Sequence, residues 1–193
     1  SSIGNFRTTD TLLTRLIRFS EGDPFSRKAI VTTQSRLMQT GLFSNVHIKR
    51  EGIDESANRI NVTIEVTEKE RYYADFGTGY DSEDSWQNFV VWGNRYLDGY
   101  GKRVSITGLY AVDYQDELYF KKGEVTLDYT DHVFIRPGLQ NTAQISYVKD
   151  KPKGVNFGFE KMHMSFGVAW EVSELSALYS QILFDRINLF SVN

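Results

Sequence analysis

The chain contains no cysteine among its 193 residues, which excludes a disulfide framework and any thiolate metal site. It carries no excess of either charge. Lys and Arg number 22 against 25 Asp and Glu, and the sequence pI is about 5.7, so there is no basic footprint and no nucleic-acid partner is expected. The opening "SSIGNFRTTD" lacks a basic n-region and an apolar h-region, so a signal peptide is expected to be absent or already removed. No stretch approaches the roughly 18 apolar residues of a membrane-spanning helix. A mean hydropathy of −0.39 would ordinarily close the membrane question. It does not, because a membrane β-barrel alternates lipid-facing and lumen-facing residues and averages out polar.

One further scarcity divides the chain. All 11 Tyr and 3 Trp follow Glu70, as do 11 of the 15 Gly. Before that point the only aromatics are Phe6, Phe19, Phe25 and Phe43. A length of 193 residues allows one large domain or two small ones, and the uneven composition favours two, 1–70 and 71–193, meeting at Thr67–Tyr73.

Residues 1–70 read as α+β. Thr8 or Thr9 caps a helix whose Leu12, Leu13, Leu16 and Ile17 share a 3.6-period stripe, and Ser26 caps a second with Ala29, Ile30, Leu37 and Met38 as its buried face. Gly41 suits the left-handed position just past that helix, and Leu42 or Phe43 supplies the apolar contact that accompanies such a cap. "NVHIKR" then alternates as a strand with Val46 and Ile48 inward, "DESAN" turns the chain, and a second strand places Ile60, Val62, Ile64 and Val66 on one side. The tail of an earlier strand is expected at residues 1–4. Helices on one face of a small sheet make the α+β solution.

After residue 71 long alternating segments take over. "YYADFGTGYDS", "WQNFVVWGNRYL", "KRVSITGLYAVDY" and "GEVTLDYTD" are followed by "NTAQISYVKD", "FGFEKMHMSFGVAWEV" and "LSALYSQILFDRINLF". They make seven candidate strands. Several reach the roughly 9–11 residues that cross a membrane as a tilted strand, longer than the usual five or six of soluble sheets. Short links (98–101, 173–174) alternate with longer polar ones, and aromatics gather near segment ends as in the girdles of an outer-membrane barrel. A soluble ligand-binding barrel, in which the apolar flank is core, is the rival reading.

Catalytic signatures are missing. His47, His132 and His163 lie in separate segments without metal-pair spacing or a nucleophile partner, and "FGTGYD" has no helix behind it to hold phosphate. The acidic run Asp81–Asp84 reads as a solvated loop tip. No catalytic residue, cofactor or metal is expected.

"GNFRTTDTLLTRLIRFSEGDPFSRKAIVTTQSRLMQTGLFSNVHIK" closely resembles a POTRA domain of the BamA/TamA outer-membrane assembly superfamily, through "GN-R-T", "EGDPF" and "L---GLF--V". "VTIEVTEKERYYADFGTGYDSEDSW" resembles that family's passage from the last POTRA strand into the first barrel strand. "DYTDHVFIRPG" resembles its fourth-strand end, without the usual proline after the aspartate. The resemblance implies a β-α-α-β-β POTRA domain, its first strand truncated, followed by an antiparallel up-and-down transmembrane β-barrel segment. About seven strands make an incomplete barrel, since a bacterial single-chain barrel has an even number and an open edge in lipid leaves backbone groups unsatisfied. The sequence is therefore expected to be part of a longer polypeptide or to be completed by other strands.

The resemblance further implies an outer-membrane location in a Gram-negative bacterium, with the POTRA domain in the periplasm. Its implied partners are unfolded outer-membrane protein clients, periplasmic or inner-membrane assembly partners, the lipid bilayer, and lipopolysaccharide meeting Lys149, Lys151 and Lys153. The strand Asn45, Val46, His47, Ile48, Lys49 and Arg50 would be an edge that accepts an extended client. The first barrel strand, through Tyr72, Ala74, Phe76, Gly77, Gly79 and Tyr80, would form one lip of a lateral gate, with Gly77 and Gly79 weakening its packing. A secretion pore of the same superfamily is the alternative.

Overall fold

The computed structural model describes residues 2–4, 7–54, 59–82, 85–113, 119–136, 138–152, 154–173 and 176–191. The turn 55–58, the tip residues Glu83 and Asp84, Tyr114, Lys153 and the end of the link at 173–174 lie outside them.

Helix α1 (Asp10–Leu16) begins at Thr9, whose hydroxyl accepts from the Leu12 N–H, and buries Leu12, Leu13 and Leu16. Helix α2 (Arg27–Gln39) is capped in the same way by Ser26, which accepts from Ala29. Its buried face differs from the expected one. Thr33, Arg36 and Leu37 are buried while Met38 is 41% exposed. Positions 33, 36, 37 and 40 stack at spacings of three and four residues, and that stripe turns Met38 away from the sheet. The sequence pattern favoured the apolar Met38 over Arg36, whose partner lies on a distant strand.

The helix stops where expected. Gly41 has φ +69°, and its N–H donates to the Met38 carbonyl at 3.0 Å, a left-handed turn that costs a residue with a Cβ more than it costs glycine. Leu42 and Phe43 follow, both 1% exposed. Strands β2 (Phe43–Asp54) and β3 (Arg59–Glu68) pair antiparallel, with Val46 opposite Val66 and Ile48 opposite Ile64. Strand β1 (Ser2–Ile3) pairs parallel to β3 on its other side. The sheet order β1-β3-β2 leaves β2 at an edge. Ile60, expected inward, is 37% exposed, because it sits toward the far end of the hairpin from the buried Val46–Val66 pair.

Seven further strands follow: β4 (Tyr72–Asp81), β5 (Ser85–Asn94), β6 (Lys102–Asp113), β7 (Tyr119–Asp131), β8 (Leu139–Asp150), β9 (Phe157–Ser173) and β10 (Ser176–Ser191). Each pairs antiparallel with its sequence neighbour, giving one open up-and-down sheet with β4 and β10 at its edges. Directly opposed residues of an antiparallel pair share a face. The row Ala74, Trp92, Ile106, Leu127, Ile145, Met164 and Phe184 runs across all seven strands without a polar side chain. The adjacent row on the other face reads Asp75, Val91, Thr107, Thr126, Ser146, His163 and Asp185. The apolar row is the open one: Trp92 is 49% and Ile106, Leu127, Ile145 and Phe184 are 44–58% exposed, while Thr126 and Ser146 are buried. This sheet is polar inside and apolar outside.

The main core disregards the composition break. Leu12, Leu13, Leu16, Leu37, Leu42, Phe43, Val46, Ile64 and Val66 pack with Tyr96 and Val133 from the links after β5 and β7. The segment expected to run as strand to Leu97 ends at Asn94; Tyr96 leaves the sheet to fill that core and is 2% exposed.

Candidate functional site

The edge strand β2, the first strand β4 of the large sheet and the junction between them are the candidates. At the first edge, β2 carries Asn45 to Arg50, with Val46 buried and His47 and Lys49 exposed. Lys49 bridges to Glu65 on β3 at 2.7 Å, so side chains brace the strand from its paired side.

At the second edge, β4 points Tyr72, Ala74, Phe76 and Tyr80 to the apolar face. Phe76 is 89% exposed. Tyr72 stacks on Trp92 at one end of the β4–β5 hairpin, with ring centroids 5.9 Å apart. Tyr80 meets Trp86 edge-on at the other end, at 5.7 Å. Paired aromatics thus bound the apolar band at both ends, where a barrel meets the two membrane interfaces. Gly77 and Gly79 fall on the polar face. They are not equivalent: the Phe89 ring occupies the space a Cβ on Gly77 would take, whereas nothing lies within 4 Å of one on Gly79.

The sequence placed the junction at Thr67–Tyr73 but not the contacts that hold it. Lys69–Arg71 join β3 to β4, and each of these residues is held. Arg7 donates to the Lys69 carbonyl at 3.1 Å and pairs with Glu70 at 3.2 Å. Arg95 donates its backbone N–H to the Arg71 carbonyl at 2.8 Å and its guanidinium to the Glu70 carbonyl at 3.0 Å. The same guanidinium lies 4.0 Å above the Tyr73 ring. Lys69 and the Tyr96 hydroxyl both donate to the Leu42 carbonyl. Burial, aided by the Glu68 charge, pushes the Tyr96 phenol up to about 12, so it keeps the proton it donates at any physiological pH. Across the junction Arg36 pairs with Glu171 of β9 at 2.8 Å. Burial lowers the Arg36 pKa and Glu171 opposes that shift. His132, in the link after β7, is held down to about 4 by burial and the Arg103 charge, so it is neutral at pH 7. His47 is exposed on β2, and His163 meets Asp185 on the polar face. Among the described residues no group of three His, Cys, Asp or Glu is placed to hold a metal.

The signal for Tyr96 was available. An aromatic two residues past a strand, in "NRYLDGYG", is the same anomaly as Leu42–Phe43 past a helix, and the two anomalies pack on each other. Arg95 and Glu171 gave no such signal, since single charges near turns are commonplace, and Arg7 stood out only as part of "GN-R-T".

Residues 2–69 match the family model described as "Surface antigen variable number repeat", the POTRA family. The outer membrane protein assembly factor BamA of Buchnera aphidicola subsp. Acyrthosiphon pisum (strain APS) is 26% identical over 181 residues, covering 84% of this chain and 29% of the relative. Residues 2–69 thus carry a POTRA match, and the chain is similar in sequence to a BamA protein. In fold it matches the crystal structure of BamA from Haemophilus ducreyi lacking POTRA domains 1–3, with a TM-score of 0.72, 20% identity, and coverage of 99% of this chain and 35% of that one. CdiB from Acinetobacter baumannii matches at a TM-score of 0.65 and 10% identity, over 95% of this chain and 36% of that one. The chain therefore spans about a third of the length of these relatives. Its fold is a POTRA α+β unit followed by a seven-stranded portion of an outer-membrane β-barrel.

Proposed function

We propose that this chain is the POTRA–barrel junction of an outer-membrane protein assembly or insertion factor in a Gram-negative bacterium. Residues 1–70 form the periplasmic POTRA domain and 71–193 the first part of the barrel. The observation that carries this reading is the unbroken apolar row on the open face of β4–β10. That face suits hydrocarbon, and the edge of β2 offers backbone N–H and C=O groups to an incoming strand. In this reading β2 receives an extended client or an assembly partner by strand addition, and β4 forms one side of a lateral gate. No covalent step is needed. The likeness to the Buchnera assembly factor supports assembly; a secretion pore of the same superfamily is the second reading, supported by the likeness to CdiB at the level of fold. Lipopolysaccharide would meet the outer ends of β8 and β9, near Lys149 and Lys151.

Gly79 provides the test, because a larger side chain there meets open space and leaves the fold intact. Gly79→Val adds a β-branched residue that stiffens β4, so full-length protein in proteoliposomes should insert a client barrel several-fold more slowly while keeping heat-modifiable gel mobility. An unchanged insertion rate would remove the gate role from β4.

A further inference from the structure

A cleft of about 340 Å³ lies between the start of α2 and the end of β9, lined in part by Arg18, Ser26, Lys28, Arg36, Glu171 and Val172. The Arg36 side chain is 6% exposed. Its Nη2 donates to Glu171, but Nε and Nη1 are buried without a partner among the described residues. A guanidinium has five donors, and leaving buried ones unanswered is costly. Among the described residues that line the cleft, Glu171 is the one carboxylate beside Arg18, Lys28 and Arg36, and the charge of Arg18 works against that of Arg36. The start of α2 adds the positive end of a 13-residue helix. Such a wall suits an anion with several acceptor oxygens. Its remaining side is apolar: Val172, at the register shift between β9 and β10, lines the cleft and is 52% exposed. A carboxylate would leave that side unused.

The geometry points to a binding site for the phosphate of a phospholipid headgroup, with Arg36, Arg18 and Lys28 as the cationic wall and Val172 beside the start of the acyl region. The inference rests on the reading that β4–β10 cross a bilayer with the POTRA domain beneath it, and it is independent of whether the chain inserts clients.

Full-length protein in maltoside micelles, titrated calorimetrically with dihexanoylphosphatidylglycerol and separately with inorganic phosphate, tests it. The lipid probe should bind saturably at one site and about tenfold more tightly than inorganic phosphate, a difference of about 1.4 kcal/mol. Arg18→Gln/Lys28→Gln, both exposed positions, should weaken the lipid probe about tenfold with the thermal transition unmoved. Arg36→Lys, which keeps the charge and loses the planar fork, should weaken it several-fold. Equal affinity for the two probes would identify a free-phosphate site and overturn the lipid assignment. Unchanged affinity in the double variant, or no saturable binding of either probe, would overturn the site itself. So would binding of a glutamate-rich peptide in place of both phosphate probes. A null Gly79→Val insertion result would leave this measurement standing, so the two readings fail separately.

Discussion

Tyr96 shows how much one side chain decides here. Its ring fills the core between α1, α2 and the barrel links, and its hydroxyl holds the Leu42 carbonyl. Tyr96→Phe keeps the ring, and Lys69 still donates to Leu42 at 2.8 Å, so the loss at pH 7 should be about 1 kcal/mol. The pH dependence has a definite sign. The folded phenol titrates near 12, and an unfolded one near 10. Between those values the unfolded chain has released the proton and the folded chain has not, so stability falls as pH rises through this window. Thermal unfolding of the two proteins in detergent at pH 7, 10 and 11.5 should show the gap closing above pH 10. A gap constant in pH would mean that the Tyr96 phenol is not held protonated by the fold.

At the scale of elements, the β4–β5 hairpin is pinned by two reciprocal contacts. The Phe89 ring of β5 covers Gly77 of β4, and the Tyr73 ring of β4 covers Gly93 of β5. Gly77 is therefore a close-approach glycine, and its presence tightens the hairpin rather than loosening it. Gly77→Ala forces the Phe89 ring aside and should destabilise the protein by about 1–3 kcal/mol. Gly79→Ala, with open space around it, should stay within about 0.5 kcal/mol of wild type. In Gly77→Ala/Phe89→Ala the clash is gone, so the double variant should lose less than the sum of its single losses. Unfolding midpoints of wild type, the three single variants (Phe89→Ala included) and the double variant check the order, and an additive double variant would show that the ring does not rest on the glycine. Of the two edge strands, β2 has its buried Val46 and exposed His47 set by plain alternation, whereas the difference between Gly77 and Gly79 depends on which partner residue the register brings opposite each.

At the scale of the molecule, the composition break at residue 70 is not an energetic boundary. Tyr96 and Val133 stand outside the POTRA segment yet are 2% and 5% exposed within its core. Thr9 donates to the Gly99 carbonyl at 3.2 Å, and the Arg36–Glu171 pair ties α2 to β9. An isolated 1–70 segment would expose Leu12 and Leu42 where the barrel links now cover them. Its helices, followed by circular dichroism at 222 nm, should melt well below the same helices in the full chain. Val133→Ala in the full chain should lower that helical transition too, because deleting buried methyl groups costs transfer free energy plus a cavity. Equal melting of the isolated and attached helices would show that the shared core contributes nothing to the POTRA unit.

The sequence by itself determined everything that depends on local period and local chemistry. A cap at Thr8 or Thr9, the cap at Ser26, the left-handed Gly41, the apolar Leu42–Phe43 plug and the seven alternating strands all follow from side chains acting on their own backbone or on their own face of a strand. Residue spacing also foretold an apolar flank, and the exposed row from Ala74 to Phe184 shows that flank turned outward. Only the tertiary structure decided which long-range partners meet. Arg36 rather than Met38 faces inward because Glu171, 135 residues away, supplies the opposite charge; Tyr96 leaves its strand because Leu42 offers an apolar surface and a carbonyl together. Pairings at that separation carry no periodic trace in the chain, since they depend on how the sheets and helices stack and not on how any one of them repeats.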